Sequence, residues 1–333
     1  MNKKLFYFLF LFLVIFILCL LPREHSFTLT DLFDTVSNIT FSSNKDYTEK
    51  YKQLLTDTDK KLSAYNPESE IYTLNHNGEA LLSDDVFRLL TKSVDYSKKL
   101  GNYFDITVNP LCILWQDAEQ DGIPKSVDKE LSSVGIDSIL LDYDSKTAKL
   151  KNGASITLGA IAKGYVTDRL VSEMRKDKVK SALINLGGNV YALGKKGSTP
   201  WKIGIANPKD SNACILTLKI CDKAVVTSGD YQRAFEKDGI LYHHIIDPKT
   251  GYPAKNGLHS VTVIGDSAEI CDVLSTAMFV AGAEIAQQLA KEYDVDIILI
   301  DDDTCWYSEG VCDMIDSRNE EYNFVELKGA VAK

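Results

Sequence analysis

The sequence predicts an α+β fold with mixed, largely antiparallel sheets and packed helices, preceded by an apolar N-terminal segment. Three observations predict it. Strands and helices come in blocks rather than in the strict alternation a doubly wound parallel sheet needs. Short β-branched runs are bounded by Gly, Asp and Asn, as strands between tight turns are. The chain has 333 residues, 45% apolar and 25% charged, enough to close a real core.

Leu5 to Leu21 is an unbroken apolar run led by Lys3 and Lys4, at the short end of a membrane span. Residues 1–22 therefore read as a membrane anchor or signal segment, and 27–333 as the folded domain. No small-x-small cleavage site follows the run, which favours an uncleaved helix over a cleaved signal. A lipidated Cys19 is the third fate, but Phe16-Ile17-Leu18 before it lacks the small residue such processing uses. The leading lysines favour a cytoplasmic N-terminus, hence a domain anchored at the extracytoplasmic face of the plasma membrane.

Residues 22–44 are mixed, with a strand around Thr35–Phe41. Asp46–Leu62 carries Tyr47, Tyr51, Leu54, Leu55 and Leu62 at near-helical spacing. Ser83 caps a helix with Asp84 and Asp85 in its first turn, and Gly101 closes it after Lys98 and Lys99. Ile139–Asp142 and Ala148–Lys151 are strands joined by a turn at Tyr143–Thr147. Gly159–Lys176 is a helix, and Ala182–Asn185 a strand ending in Gly187-Gly188. Further strands are Trp201–Ile205, Ile215–Ile220, Lys223–Thr227, Gly239–Ile246 and Leu258–Ile264. Ala268–Ala281 and Ala283–Tyr293 are helices, and Val295–Ile300 is a buried strand.

The net charge is -10, and no basic block or basic helix face occurs, so nucleic acid is not an expected partner. An acidic protein that binds a phosphorylated ligand needs local amides, a metal or a few cations to offset repulsion. The seven cysteines form no Cys-x-x-Cys pair, which excludes a zinc ribbon or thioredoxin site. Cys305 and Cys312 flank an expected hairpin turn. Two reduced thiols is the favoured reading there, and a bridge across the strands the alternative.

Four segments carry candidate chemistry. Thr227-Ser-Gly-Asp-Tyr-Gln-Arg233 and His243-His-Ile-Ile-Asp-Pro-Lys-Thr-Gly251 interleave turn residues with Arg, His and hydroxyls, the composition of strand ends presented to a ligand. Asp272 and Thr276 are four apart on one helix, so they share a face and offer hard oxygens suited to magnesium. A surface Asp beside a self-bonded Thr is the competing reading. Thr157-Leu-Gly-Ala-Ile-Ala-Lys-Gly-Tyr165 brings small residues and Lys163 to a helix start, where free amides favour anions; taken alone, tight helix–sheet packing with Lys163 solvated is the favoured reading. Tyr103-Phe-Asp-Ile-Thr-Val-Asn-Pro-Leu111 puts two aromatics and a carboxylate at a strand-like entry to a Pro-bounded turn, or makes a core cluster. Ser228 and His244 offer a nucleophile and a base, but without a nucleophile elbow.

In this order, these segments resemble the ApbE family of FAD:protein FMN transferases, from about Phe33 to about Gly310. The matching pieces are Phe33-Asp-Thr35, Ser63-Ala-Tyr65, Tyr103-Phe-Asp-Ile-Thr107, Leu158-Gly-Ala-Ile-Ala-Lys-Gly-Tyr165 with Asp168, and Ile184-Asn-Leu-Gly-Gly-Asn189. They continue with Trp201-x-Ile-Gly-Ile205, Thr227–Arg233, His244-Ile-Ile-Asp-Pro248 with Thr250-Gly251, and the Asp272–Thr276 helix.

The resemblance implies magnesium-dependent transfer of FMN from FAD to a threonine hydroxyl of an acceptor protein, releasing AMP. It implies metal ligands at the Ala160 carbonyl, Asp272 and Thr276. It implies FAD contacts at Phe33, Tyr65, Tyr103, Phe104, Asp105, Thr157, Lys163 and Ile246, and His244 as the base. The chain departs from the family at Thr157, where Asp is common, and at Phe33-Asp34-Thr35, where the family has Met-Gly-Thr. An FAD pyrophosphatase using water as nucleophile and a non-enzymatic flavin-binding protein are the alternatives.

Overall fold

Nine strands line up in one sheet in the same order in which they occur along the chain. They are β1 (Arg23–Leu32), β2 (Thr35–Ser43), β3 (Ser181–Leu186), β4 (Asn189–Gly194), β5 (Lys223–Gly229), β6 (Ser260–Gly265), β7 (Asp296–Ile300), β8 (Thr304–Ser308) and β9 (Asn323–Leu327). Every neighbouring pair is antiparallel except β8 and β9, which run parallel. The computed structural model describes residues 22–327. The apolar run Leu5–Leu21 and Cys19 lie outside the described residues; among those described, no helix is long and apolar enough to cross a membrane.

The helices enter as insertions into this meander. Between β2 and β3 come α1 (Thr48–Leu62), α2 (Glu70–Asn77), α3 (Asp84–Leu100), α4 (Asn109–Asp121), α5 (Asp128–Leu131) and α6 (Ala162–Lys176). Between β6 and β7 come α7 (Ala268–Ala281) and α8 (Ala283–Glu292). Strand periodicity of two divides the core. Val226, Val263, Ile297 and Leu299 pack on the helices, with Val166, Leu170, Leu274 and Met278 among their neighbours in one large cluster. Val225, Ile264 and Ile298 point the other way, toward Trp201, Ile203, Leu216 and Leu218. Those residues belong to a small sheet of Trp201–Asn207, Asp210–Ile220 and Ile315–Arg318 that covers the second face. All six residues of β6 are buried, as in a strand sandwiched on both sides.

The α+β class and most elements stand where the sequence puts them. Five differ. Residues 23–32, read as mixed, form β1, because β2 offers them a full ladder partner. The Gly159–Lys176 helix begins only at Ala162; Gly159–Ile161 form a turn held by Ile161 N and Ala162 N on Leu158 O. The Gly239–Ile246 strand stops at His243, where its partner Ala234–Lys237 runs out. Tyr103–Leu111 is not a strand entry: Gly101–Tyr103 is a 3-10 turn and Asn109 opens α4, with Pro110 in its first turn, a helix the sequence reading did not foresee. Cys305 and Cys312 do not flank a hairpin, because β8 runs into a 3-10 helix over Glu309–Met314. Ser83 does precede α3, but its hydroxyl donates to Glu70 Oε1 and makes no cap bond.

Candidate active site

The site lies where β5 ends against α7 and the start of α6. Gly164 brings the two helices together: a Cβ there would come within 2.3 Å of the Ala268 carbonyl oxygen. That closeness lets the Gly164 amide donate to Asp272 Oδ2 at 2.8 Å. Ala160 itself lies in the turn before α6, four residues ahead of Gly164. Asp272 is 4% exposed, and Lys163 Nζ stands 3.9 Å from its Oδ1 while donating to Gly159 O at 3.1 Å. One turn along α7, Thr276 Oγ1 lies 3.4 Å from Ser228 Oγ, which also bonds Ser275 Oγ at 2.9 Å. A buried carboxylate and, one turn on, a hydroxyl thus lie on α7 where it meets the start of α6 and the end of β5.

Tyr103–Thr107 runs beside this junction. Thr157 N donates to Ile106 O, and Asn109 Nδ2 to Ser155 Oγ. Asp105 accepts from the Thr107 amide and hydroxyl at 2.8 and 2.6 Å; burial still pushes its carboxyl upward. Phe104 is in the core and Tyr103 half-buried against it. Thr157 Oγ1 accepts from Gly159 N at 3.3 Å, which shapes the turn before α6.

The other wall is made of turns. His243 is buried: its Nε2 donates to Ala254 O at 2.9 Å and its Nδ1 accepts from Ile245 N. His244 faces outward. Its Nδ1 must donate to Gln232 O at 2.9 Å, since a carbonyl only accepts, and this leaves Nε2 with a free lone pair. Desolvation by the surrounding atoms lowers its pKa to about 4 against the bond to Gln232, with the positive Arg233 and Lys163 adding to the fall, so it is neutral near pH 7. Tyr65, 49% exposed, has its phenol pushed up to about 12 by desolvation and by its neighbours Cys112 and Asp34, with the positive Arg233 opposing. Phe33 is half-buried in the β1–β2 turn, its amide on Asp59 Oδ1 at 3.1 Å. Ile246 is different: its side chain is buried with Leu111, Trp115 and Val127, so only its backbone is available to a ligand.

A family model described as the ApbE family matches residues 33–299. An FAD:protein FMN transferase of Klebsiella pneumoniae (strain 342) is 34% identical over 269 residues, covering 78% of this chain and 84% of its own. The chain belongs to the ApbE family. A second FAD:protein FMN transferase, from Haemophilus influenzae, is 30% identical over 278 residues, covering 79% of this chain and 80% of its own. The solved ApbE protein of Thermotoga maritima superposes with a TM-score of 0.76 at 28% identity, over 90% of this chain and 97% of that one. The flavin transferase ApbE of Vibrio cholerae, at 23% identity and a TM-score of 0.79, shares the fold.

Within this ApbE chain, the structure gives supporting roles to residues that sequence reasoning named without placing. Asp168 accepts from Ser267 Oγ, Ala268 N and Glu269 N and so fixes the start of α7. Ser228 links β5 to Thr276, and Gln232 fixes His244. Asp168 belongs to the resemblance, but nothing in the sequence points to its bonds with the start of α7, nor to a backbone carbonyl such as Gln232's. Two open grooves of about 510 and 380 Å³ lie around Asp168, at the N-terminal end of α7. The cations of the smaller one are already paired, Arg88 and Arg169 with Asp85 and Lys92 with Glu269.

Proposed function

We propose that this protein is an FAD:protein FMN transferase that uses magnesium to move FMN from FAD onto a threonine hydroxyl of an acceptor protein, releasing AMP. The observation that carries the reading is His244: a neutral, solvent-exposed imidazole with Nδ1 occupied by Gln232 O and Nε2 free. A carrier of flavin has no use for such a base, whereas a threonine hydroxyl needs one to become a nucleophile near pH 7.

The Asp272 carboxylate, Thr276 hydroxyl and Ala160 carbonyl fit a hard divalent cation, since the donors are all oxygen and the one full charge is buried with only a distant ammonium beside it. When bound there, magnesium withdraws charge from the pyrophosphate. Lys163, in the first turn of α6, adds a cation to the same anionic group. Phe33, Tyr65, Tyr103, Asp105, Thr157 and the backbones of Phe104 and Ile246 line the space assigned to the rest of FAD. His244 Nε2 takes the threonine proton as the threonine Oγ bonds the FMN phosphorus. The bond from that phosphorus to the bridging oxygen breaks, and AMP leaves with the oxygen. We also place the domain outside the cytoplasm, held by Leu5–Leu21, on the strength of the lysine-led apolar run; N-terminal sequencing of the mature protein tests this, and a start beyond residue 22 overturns it.

Mass spectrometry of a threonine-bearing acceptor incubated with the protein, FAD and magnesium tests the function. The expected result is an FMN mass on threonine with AMP in solution. FMN and AMP without attachment would make the protein a pyrophosphatase, and bound but intact FAD a flavin carrier.

A further inference from the structure

The β1–β2 turn is backbone that its residues do not choose. Leu32 pairs with Thr35, and the two residues between them are both left-handed, Phe33 at φ 51° and Asp34 at φ 54°. Such a turn matches the twist of a hairpin, but Asn and Gly are the residues that take it easily. A bulky side chain at positive φ persists only when its surroundings over-determine it. Here they do. Phe33 N is held by Asp59, and Thr35 lies against Gly187, where a Cβ would come within 2.2 Å of its hydroxyl oxygen. Arg233 Nη2 donates to both turn carbonyls, 2.8 Å to Asp34 O and 3.3 Å to Phe33 O.

Arg233 is therefore used in an unusual way. Among the described residues no carboxylate forms an ion pair with it, and its hydrogen bonds go to backbone 200 residues away. Arg233 is itself left-handed, at φ 46°. The carbonyl immediately before it, Gln232 O, is the one that accepts from His244 Nδ1. One dipeptide thus touches the base on one side and the Phe33 wall on the other.

We propose that Arg233 is a positioning residue: by clamping the Phe33–Asp34 turn to the Gln232–Arg233 dipeptide, it sets the flavin-side wall and the orientation of His244 together. The structural part of this stands alone; its meaning for activity rests on the transferase reading. Without the guanidinium the turn loses the bonds that hold Phe33 left-handed, and the Gln232 peptide is freer to rotate. The Nδ1 proton of His244 then loses its fixed acceptor, and with it the preference for a free Nε2.

The test compares wild type, Arg233→Ala, Asp34→Gly and the double variant. Glycine adopts positive φ without a steric penalty, so Asp34→Gly makes the turn less dependent on the clamp. Arg233→Ala is expected to weaken FAD binding about tenfold, and to lower the transfer rate at saturating FAD as well. Adding Asp34→Gly is expected to restore FAD affinity but not the saturated rate, because it repairs the turn and not the Gln232 carbonyl. Hydrogen exchange of residues 32–37 without flavin should be slow in wild type, fast in Arg233→Ala and slow again in the double variant. Because Arg233 is exposed, an unchanged melting temperature is expected throughout. Wild-type affinity and rate in Arg233→Ala, or no recovery of affinity and protection in the double variant, overturns the proposal. If wild type attaches no FMN but the exchange pattern appears, the transferase reading fails and the clamp stands.

Discussion

Asp272 and His244 approach the proposed reaction from supports of opposite kind. Asp272 sits in the middle of a fourteen-residue helix, 4% exposed, held by an amide of a second helix that a missing Cβ allows to come close. His244 lies one residue past the end of a four-residue strand, open to solvent, and its one recorded side-chain bond goes to a carbonyl of the neighbouring turn. The first half is packed so that nothing in it can shift alone. The second is assembled from turns, with left-handed Phe33, Asp34 and Arg233 kept in place by a few polar bonds. In the proposed reaction the phosphate-and-metal end gains from rigidity, since electrostatic stabilisation needs groups already oriented. An end that must admit a folded protein's threonine gains from openness.

The comparison breaks most easily at Asp272. Asp272→Ala removes the charged ligand and leaves the Gly164 amide facing an apolar methyl. FAD affinity in the presence of magnesium is expected to fall about a thousandfold, the scale of several kcal/mol of metal-assisted charge stabilisation. Thr276→Ala, which removes only a neutral oxygen, should do much less. Titration of FAD with and without magnesium measures both. Equal affinity in wild type and Asp272→Ala removes the helix junction from the site.

His244→Ala should act on rate and not on binding. Transfer is expected to drop about a hundredfold, the low end for loss of a general base, with FAD affinity and melting temperature near wild type. His243→Ala should show the reverse pattern, because His243 is buried, bonded through both nitrogens and packed edge-on against Phe279. The pH profile sharpens the assignment. With its pKa lowered to about 4, His244 is already deprotonated at pH 5.5, so the acid limb of the transfer rate should lie well below the ordinary histidine value. A limb near 6.5 that disappears in another variant would move the base elsewhere.

The same contrast explains what could be read from the sequence. The helix half was legible because its determinants are side chains at fixed periods: Asp272 and Thr276 one turn apart, and small residues before Lys163. The α7 bounds were read correctly to the residue, since Ser267 caps it and Gly282 ends it. The turn half was legible only as composition. His244 could be named, but its support is the carbonyl of Gln232, and a carbonyl leaves no trace in a sequence. Arg233 could be seen, but not that its partners are backbone atoms of Phe33 and Asp34. β1 went unread for a related reason: an edge strand with alternating polar residues declares itself only once β2 is beside it.

Gly164 offers a smaller perturbation of the rigid half. Gly164→Ala places a methyl within 2.3 Å of Ala268 O and 2.7 Å of the Glu269 Cα, both backbone atoms that cannot step aside. Helices α6 and α7 must separate, at a cost of about 1–3 kcal/mol of stability, the range for overpacking. Denaturant unfolding measures that loss. FAD affinity should fall with it, since the same separation lengthens the amide bond to Asp272; a stable variant with full affinity would show that the junction is not tight in solution.

The smallest effect expected belongs to His259, which ties the turn half to the β7–β8 end of the sheet. Its Nδ1 lies 2.7 Å from Asp230 Oδ2 and its Nε2 3.1 Å from Asp302 Oδ1, while its own carbonyl accepts from Asp230 N. Both ring nitrogens face carboxylates, so the charged imidazolium suits the pair. Burial works against that charge, but the hydrogen bonds to Asp230 and Asp302 outweigh it and raise the pKa above 6.5. A raised folded value means the stabilisation is fully present below the unfolded pKa of about 6.5 and is lost as pH rises through the folded value. Asp302 is largely exposed, so solvent screening keeps the contribution small. His259→Gln should therefore melt slightly below wild type at pH 6, with the gap closing by pH 8.5. A gap of the same size at both pH values would mean that the tether is the neutral hydrogen bond to Asp230 alone, and that charge plays no part in holding the Thr227–Arg233 turn against the sheet.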